Sequence, residues 1–196
     1  MSARSTSGSV VAGQNTKDAI REAAIRLFSN KGFEQTSLRE VADAVGITKA
    51  SLYYHYASKL DLLLAIIEPI FDDMNSVVDG LDGVPHSPQR SREVLERQLH
   101  TMLHHRTAGT LCVRDTVAII NAIGDRYPDM LDMHRRLCRW LAGPDPTDEA
   151  LLRASSALEI LSTVLWSKEL VPDAADDVIE RVLLDAALTV LTGQRR

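Results

Sequence analysis

The sequence predicts an all-α protein: a head of three helices containing a helix-turn-helix, followed by a helical body, with about nine helices in all. Apolar residues recur at spacings of three and four along most of the 196-residue chain, and no segment alternates apolar and polar residues as a half-buried strand does. Glycine and proline separate these segments, for example at Gly32, Gly46 and residues 80–88. We therefore expect helices joined by short turns.

Composition argues against several classes of protein. Hydrophobic residues make up 45% of the chain and charged residues 25%, which is typical of a globular protein. The two cysteines, Cys112 and Cys138, form no disulfide framework, in agreement with a reducing cytoplasm. No run of about 18 apolar residues predicts a membrane span, and the first residues lack the apolar core of a secretory signal. We expect a cytoplasmic protein.

Three parts are predicted along the chain: a disordered arm over residues 1–15, the head over 16–60, and the body over 61–196. The arm is rich in small and polar residues. Thr16 can cap the first helix of the head, which carries an apolar stripe from Ile20 to Phe28. Residues 1–60 carry eight Lys or Arg against five Asp or Glu, whereas the rest carries fourteen against twenty-two. A molecule with a basic head and an acidic body would be oriented with the head towards a polyanion.

The segment 37–59, SLREVADAVGITKASLYYHYASK, predicts two short helices around a tight turn. Ser37 and Glu40 have the spacing of a capping box at the start of the first helix. Gly46 follows the last apolar residue of that helix, where a helix end favours a residue that tolerates positive φ. Thr48 can then cap a second helix that runs to Tyr56. This is the helix-turn-helix arrangement, which can place its second helix in the major groove of DNA.

The second of these helices has two different faces. Leu52 and Tyr56 share one face and are expected to pack onto the first helix. The other side carries small, hydroxylated, aromatic and basic side chains, which suit phosphate oxygens, base edges and thymine methyl groups. The alternative is an ordinary helical hairpin whose tyrosines are half buried in the core.

The segment 41–67, VADAVGITKASLYYHYASKLDLLLAII, resembles the DNA-binding signature of the TetR family of one-component transcriptional regulators. The residues that stand where the family has them are Val41, Ala42, Gly46, Leu52, Tyr53, His55, Lys59 and Leu62. Ala50 replaces a common glycine. The preceding segment, AIREAAIRLFSNKGFEQTS, is similar to the family's first helix and the turn that follows it.

This resemblance implies double-stranded DNA as a partner, bound through residues 48–55, with Thr36, Ser37 and Lys59 clamping phosphates. The predicted DNA-binding residues are Thr36, Ser37, Arg39, Thr48, Lys49, Ala50, Ser51, Tyr53, Tyr54, His55 and Lys59. Lys59 also stands out by position, since a cation at the first residue of a helix faces the positive end of the helix dipole and costs about 0.3–1 kcal/mol. A bound phosphate would offset that cost. A solvated lysine is the alternative.

The body is predicted to consist of longer helices. Their approximate ranges are 60–78, with Pro69 inside, 88–106, 110–123, 128–142, 147–170, and a last helix that Asp173 and Asp176 cap. The last helix is apolar over most of its circumference, so it should be covered on two sides. It is either the central helix of a monomeric bundle or part of a contact between two copies.

The TetR resemblance favours two copies, with a four-helix bundle formed by the last two helices of each chain. The predicted interface residues are Leu158, Leu161, Leu165, Val182, Leu183, Ala186 and Val190. A twofold dimer presents two reading helices to successive major grooves and calls for a palindromic operator.

The same resemblance implies that the middle helices hold a small-molecule inducer. The candidate lining residues are Phe71, Met74, Met102, Leu103, His104, Ile120, Met130, Met133, Leu137 and Trp140. Methionine adapts to ligands of varied shape, although methionine and aromatic residues at helical spacing also occur as plain core.

The sequence thus predicts a homodimeric transcriptional regulator, a repressor that an unknown inducer releases from its operator. We expect no cofactor and no enzymatic activity, because the chain has no GxSxG motif, P-loop or glycine-rich dinucleotide loop. His100 and His104 have a spacing used in metal ligation but lack the HExxH pattern, and we expect no metal. The alternative is a helical metal- or small-molecule-binding protein without operator-specific DNA binding.

Overall fold

The computed structural model describes residues 6–114, 117, 119, 121 and 130–193. Every regular element in these residues is helical, which confirms the all-α class. The elements are α1 (Thr6–Lys31), α2 (Leu38–Val45), α3 (Lys49–His55), α4 (Lys59–Asp79), α5 (Pro88–His104), α6 (Arg106–Arg114), α7 (Met130–Leu141), α8 (Asp148–Ser162), a 3₁₀ turn (Thr163–Trp166), α9 (Ser167–Leu170) and α10 (Asp176–Thr192).

The chain divides into two compact units. Of the residues described, the first unit holds 6–68, 111–114, 117, 119 and 121, and the second holds 69–110 and 130–193. The change from the first unit to the second therefore falls at Pro69, inside α4, which remains helical through this proline. The sequence placed its domain boundary earlier, between residues 60 and 61, and that boundary stays a proposal.

The core of the first unit is built on the apolar stripe of α1. Ile20 and Phe28 are buried, and the ring of Phe28 lies edge-on to that of Phe33, with 5.3 Å between ring centroids. Helix α1 packs against α2, and α2 packs against α3. Val41 of α2 and Leu52 of α3 complete this core, because both are buried. The predicted inward face of the helix-turn-helix is therefore the face that packs.

In the second unit, α5, α7 and α10 pack against α8. Its core contains buried leucines from several helices, including Leu95, Leu99 and Leu141. Trp140 is partly buried at its edge, where the indole Nε1 donates to the carbonyl oxygen of Val84 at 3.1 Å.

Helix α1 begins earlier than the sequence predicts, at Thr6 rather than after Thr16. Residues 6–15 are therefore helical, which corrects the predicted disordered arm, and residues 1–5 lie outside the part of the chain that is described. The segment 6–15 contains no proline. Extending a helix that is already nucleated adds hydrogen bonds without the cost of a new nucleus, so its small polar residues do not prevent helix formation.

Helix boundaries in the second unit also differ from those predicted. Helix α6 starts at Arg106, four residues before the predicted start near Thr110. The single helix predicted over 147–170 is broken by the 3₁₀ turn, after which the Ser167 hydroxyl donates to the carbonyl oxygen of Val164 at 2.7 Å. Apolar periodicity continues through this break, and for that reason the sequence pattern did not reveal it.

The predicted caps of the last helix are wrong. Ala175 occupies the N-cap position of α10 and makes no side-chain capping bond, while Asp176 is already inside the first turn. The carboxylate of Asp176 accepts a hydrogen bond from the Arg106 guanidinium at 3.0 Å, and this bond lowers the pKa of Asp176. An acidic residue in the first turn still complements the helix dipole.

Candidate nucleic-acid interface and ligand cavity

The first helix of the helix-turn-helix, α2, begins with the predicted capping box. Ser37 Oγ accepts the backbone N–H of Glu40 at 3.2 Å, and the backbone N–H of Ser37 donates to Glu40 Oε2 at 2.8 Å. The Ser37 hydroxyl also donates to Glu40 Oε2 at 2.8 Å. These bonds satisfy backbone N–H groups that a helix start leaves free. The Ser37 hydroxyl hydrogen is donated to Glu40 Oε2, so it is not available for a contact between Ser37 and a phosphate.

Lys31, at the end of α1, fixes the capping box to the preceding helix by donating from Nζ to Glu40 Oε1. This bond and the two hydrogen bonds from Ser37 lower the pKa of Glu40 to about 2. Sequence reasoning did not identify Lys31, because spacing along the chain does not show which carboxylate a lysine meets on another helix.

The depressed pKa of Glu40 predicts an acid-sensitive head. Between about pH 4.5 and about pH 2 the unfolded chain binds the Glu40 proton more readily than the folded chain. The free energy of unfolding should therefore fall as the pH falls through this window, whereas above it the stabilisation by Glu40 is complete and no longer changes with pH. Glu40→Gln should flatten this dependence, measured by urea unfolding followed through the NMR signals of residues 20–66. Glu34→Gln, at an exposed turn position, is the control; an equal pH slope in wild type and Glu40→Gln would contradict the assignment.

The turn after α2 requires the glycine that the sequence places there. Gly46 has φ of +75°, in the left-handed region where an L side chain is strained. The backbone N–H of Ile47 then donates to the carbonyl oxygen of Ala42 at 3.0 Å, which closes the end of α2. Thr48 caps α3 as predicted, since its Oγ1 accepts the backbone N–H of Ser51 at 3.1 Å. The turn therefore fixes where α3 starts.

Helix α3 presents one face to the core and the other to solvent. Leu52 is 0% exposed and Tyr56, which follows the helix, is also buried. Tyr54 is 87% exposed. The other exposed members of the predicted set on this segment are Thr48, Lys49, Ala50 and Tyr53, while Ser51 and His55 are half-buried.

Side chains on the exposed face of α3 contact one another. Lys49 Nζ lies 5.5 Å from the centroid of the Tyr53 ring, and the rings of Tyr54 and His55 meet edge-on with centroids 5.3 Å apart. Arg39, on α2, is also exposed, and its Nε lies 3.8 Å from Asp43 Oδ2. The surface thus combines two exposed aromatic rings with two exposed cations, Arg39 and Lys49.

Thr36 and Lys59 do not have the surroundings that the phosphate prediction requires. Thr36 is buried, and its hydroxyl donates to the carbonyl oxygen of Gly32 at 2.8 Å. Lys59 Nζ donates to the carbonyl oxygens of Phe33, Glu34 and Thr36 at 2.9, 3.2 and 3.2 Å, and it lies 4.5 Å from the centroid of the Phe33 ring. Both side chains therefore hold the turn between α1 and α2. The carbonyl oxygens, rather than a phosphate, offset the cost of a cation at the start of α4.

Known proteins with related sequences share this head. The profile described as "Bacterial regulatory proteins, tetR family" matches residues 20–66. The chain is 44% identical over 62 residues to the biofilm operon icaADBC HTH-type negative transcriptional regulator IcaR of Staphylococcus aureus, a match that covers 32% of this chain and 33% of that protein. For IcaR of Staphylococcus epidermidis the identity is 40% over 75 residues, covering 33% of this chain and 40% of that protein. The match thus spans only about a third of the length of IcaR from S. aureus.

Solved structures extend the likeness to the fold of nearly the whole chain. A TetR-like transcriptional regulator from Rhodococcus sp. RHA1 has a TM-score of 0.65 and 22% identity over 91% of this chain and 97% of that one. A regulator of the TetR/AcrR family from Thermobifida fusca has a TM-score of 0.53 and 25% identity over 93% of this chain and 100% of that one.

Residues 20–66 thus match the tetR family, and nearly the whole chain is similar in fold to a solved TetR-like regulator.

The second unit of the protein contains a cavity of about 150 Å³. Helices α4, α5, α7 and α8 supply its described lining, which consists of Met74, Val78, Gln98, Met102, Met133, His134, Leu137, Leu158, Glu159 and Ser162. Four of these, the three methionines and Leu137, are among the predicted pocket residues. The polar members were not predicted, because polar residues on separate helices share no spacing that indicates a common cavity.

The other predicted pocket residues that the structure describes lie elsewhere. Phe71, Leu103 and Trp140 are partly buried against the core of the second unit and are not in the lining of this cavity. His104 is exposed, and its ring lies edge-on to that of His105 with centroids 4.7 Å apart. Ile120 and the side chain of Met130 lie outside the described residues.

Two of the predicted interface residues are wrong. Leu158 is 4% exposed and Leu161 is 0% exposed in the single chain, so both side chains are already enclosed by their own core. Val182 is 52% exposed on α10, and Val178, which the sequence did not single out, is exposed one helical turn earlier. The remaining predicted interface residues are half-buried: Leu165, Leu183, Ala186 and Val190.

The histidines and cysteines do not form a metal cluster in the part of the chain that is described. His100 Nε2 instead lies 2.7 Å from Glu180 Oε1, and His134 Nε2 lies 3.4 Å from Cys138 Sγ. The side chain of Cys112 lies outside the described residues. None of the described helices is long and apolar enough to cross a membrane.

Proposed function

We propose that this protein is a DNA-binding transcriptional regulator of the TetR family and of repressor type, which acts in the cytoplasm as a homodimer on a palindromic operator. DNA binding is supported above all by the outward face of α3. Lys49, Ala50, Tyr53 and Tyr54 are exposed there, on a helix anchored from behind by Leu52. The major groove of DNA admits an α-helix, and such side chains can contact base edges, thymine methyl groups and phosphates.

The repressor type is supported by IcaR, which is named as a negative regulator and is similar to this chain over the head. The charged part of the contact would come from Arg39 and Lys49, because Lys59 is held by carbonyl oxygens. Each phosphate contact contributes to the fall of affinity with salt, so Lys49→Gln should reduce the slope of log K against log salt by about 1.

The homodimer is supported by the exposed apolar side chains of α10. Val178 and Val182 lie one turn apart on this helix and are exposed in the single chain. A second copy related by a twofold axis would cover them and place two α3 helices on successive major grooves, about 34–36 Å apart.

Ligand response is supported by the cavity of the second unit. An occupant can lower DNA affinity only if it binds more tightly to the conformation with weaker DNA affinity. Coupling of this kind typically amounts to about 1–3 kcal/mol, or roughly 5- to 150-fold in affinity.

Selection of duplexes from a random pool by the purified full-length protein tests the proposal. Sequencing the bound fraction should reveal an inverted repeat, and the selected duplex should bind far more tightly than an unrelated duplex at the same salt concentration. A helical small-molecule-binding protein without operator-specific binding would enrich no sequence, and that outcome would overturn the proposal.

Replacing Tyr54 by alanine should weaken binding to the selected duplex by roughly 5- to 150-fold, because a good base contact is worth about 1–3 kcal/mol. Fluorescence anisotropy measures the dissociation constant, and NMR signals of residues 20–66 should show an intact head, since Tyr54 is almost completely exposed. Tyr54→Phe separates the ring from its hydroxyl. Arg90→Ala, at an exposed position in the second unit, is the control and should bind like wild type. An unchanged dissociation constant for Tyr54→Ala would count against α3 as the reading helix.

A further inference from the structure

The cavity of the second unit has the size and lining of a site for a small, mainly apolar molecule. Its volume of about 150 Å³ is comparable to that of an apolar cavity that accommodates benzene. Three of the chain's five methionines line it: Met74, Met102 and Met133. Thioether groups are polarisable and make favourable contacts with aromatic rings. An occupant with an apolar body about the size of one ring would therefore fit.

Gln98 places an unpaired hydrogen-bond acceptor in the lining of the cavity. Its side chain lines the cavity from α5 and is 2% exposed, and its Oε1 is buried without a hydrogen-bond partner in the described structure. Buried side-chain oxygens nearly always accept a hydrogen bond, because leaving one unpaired is unfavourable. The occupant that completes this site therefore carries an N–H or O–H donor.

The remaining polar groups favour a positive charge on that donor. Glu159 lines the cavity and is also exposed, so the cavity reaches solvent beside this acidic residue. Ser162 donates its hydroxyl hydrogen to the carbonyl oxygen of Leu158 at 3.3 Å and so offers a lone pair to the site. His134 is the other polar member, and among the described lining residues none is Lys or Arg. A carboxylate ligand would meet Glu159 without a lysine or arginine to balance its charge.

We infer that this cavity binds a small protonated primary amine with a benzene-sized apolar body. The ammonium group donates to the acceptors of Gln98 and Glu159, and the ring lies among the methionines. The role of the amine as an effector of DNA binding rests on the proposed function. Binding of the amine to the cavity does not require DNA and can be tested separately.

Isothermal titration calorimetry of the full-length protein with benzylamine, benzyl alcohol and benzoate tests this inference. The three probes share a ring and differ in their polar group. Benzylamine should bind more tightly than benzyl alcohol, and benzoate should show no binding. Glu159→Gln should weaken benzylamine by about tenfold or more and abolish its advantage over the alcohol, since hydrogen bonds to charged groups are the stronger ones.

Two further variants complete the experiment. Gln98→Met keeps a similar length but removes the acceptor, so it should weaken both benzylamine and benzyl alcohol. Substitution of the buried Gln98 can also disturb the core around it. The result for Gln98→Met is therefore compared with that for Glu159→Gln, a substitution at an exposed position that should not disturb the fold. Glu93→Gln is the matched control, since Glu93 is exposed on α5 outside the described lining and should leave all three affinities unchanged.

Binding of none of the probes at millimolar concentration, tighter binding of benzoate than of benzylamine, or equal effects of Glu159→Gln and Glu93→Gln would each overturn the inference. The affinity for the selected duplex is then measured with and without benzylamine. An amine that binds but leaves DNA affinity unchanged would overturn ligand response in the proposed function and support the assignment of the cavity.

Discussion

Replacing Leu52 by alanine is expected to lower the free energy of unfolding of the head by about 2–5 kcal/mol. Leu52 is the fully buried residue of α3 and packs in the core of the first unit. Its truncation removes apolar contacts and leaves a cavity that the surrounding helices fill only in part. A loss of this size is a large fraction of the stability of a typical domain, so DNA binding should fall with it.

Urea unfolding followed through the NMR signals of residues 20–66 measures this loss. Both tryptophans, Trp140 and Trp166, belong to the second unit, so their fluorescence monitors that unit in the same samples. Leu170→Ala, at an exposed leucine, is the control and should change stability by no more than about 0.5 kcal/mol. An effect of Leu52→Ala as small as that of the control would mean that α3 does not pack as described.

Replacing Lys59 by methionine should destabilise the head by about 1–2 kcal/mol. Methionine keeps the apolar stem over the Phe33 ring but removes the ammonium group that donates to three carbonyl oxygens. Loss of these charge-assisted bonds outweighs the relief of removing a cation from a helix start. The same NMR-detected urea unfolding measures the change.

Lys49→Met is the matched control, because Lys49 is also the first residue of a helix but is exposed and contacts only the neighbouring Tyr53 ring in the contacts described above. Removal of the Lys49 ammonium group should leave the free energy of unfolding unchanged or raise it by about 0.3–1 kcal/mol. If Lys59 instead contacted phosphate, as the sequence predicts, Lys59→Met would leave stability unchanged and reduce the salt dependence of DNA binding by about one counterion.

Features that depend on neighbours along the chain could be predicted from the sequence. The capping box of Ser37 and Glu40, the positive φ of Gly46 and the cap by Thr48 follow from the backbone needs of helix ends. The burial of Leu52 and Tyr56 follows from helical periodicity, which shows which side chains share a face. These local rules, together with the family resemblance, were sufficient to place α2 and α3.

Features that depend on contacts between distant segments could not be predicted in the same way. The position of Lys59 at a helix start and the family resemblance predict a phosphate contact. The three carbonyl oxygens that Lys59 actually meets come from a turn more than twenty residues earlier, and the sequence does not show that they are close to it. Leu158 and Leu161 were assigned to a partner because periodicity shows that a face is apolar but not which apolar surface covers it. The acceptors of the cavity, Gln98 and Glu159, lie on different helices and share no motif.

The shortness of α3 has a consequence for how this protein can acquire a new binding preference. A helix of seven residues is too short to persist alone in water, so its shape is imposed by the anchoring of Leu52 and Tyr56 and by the turn before it. The side chains on the outward face of α3 contribute little to holding the helix in this shape. Under the proposed function, exchanges at Ala50, Tyr53 and Tyr54 would therefore redirect the protein to other operators while the scaffold beneath them keeps its stability.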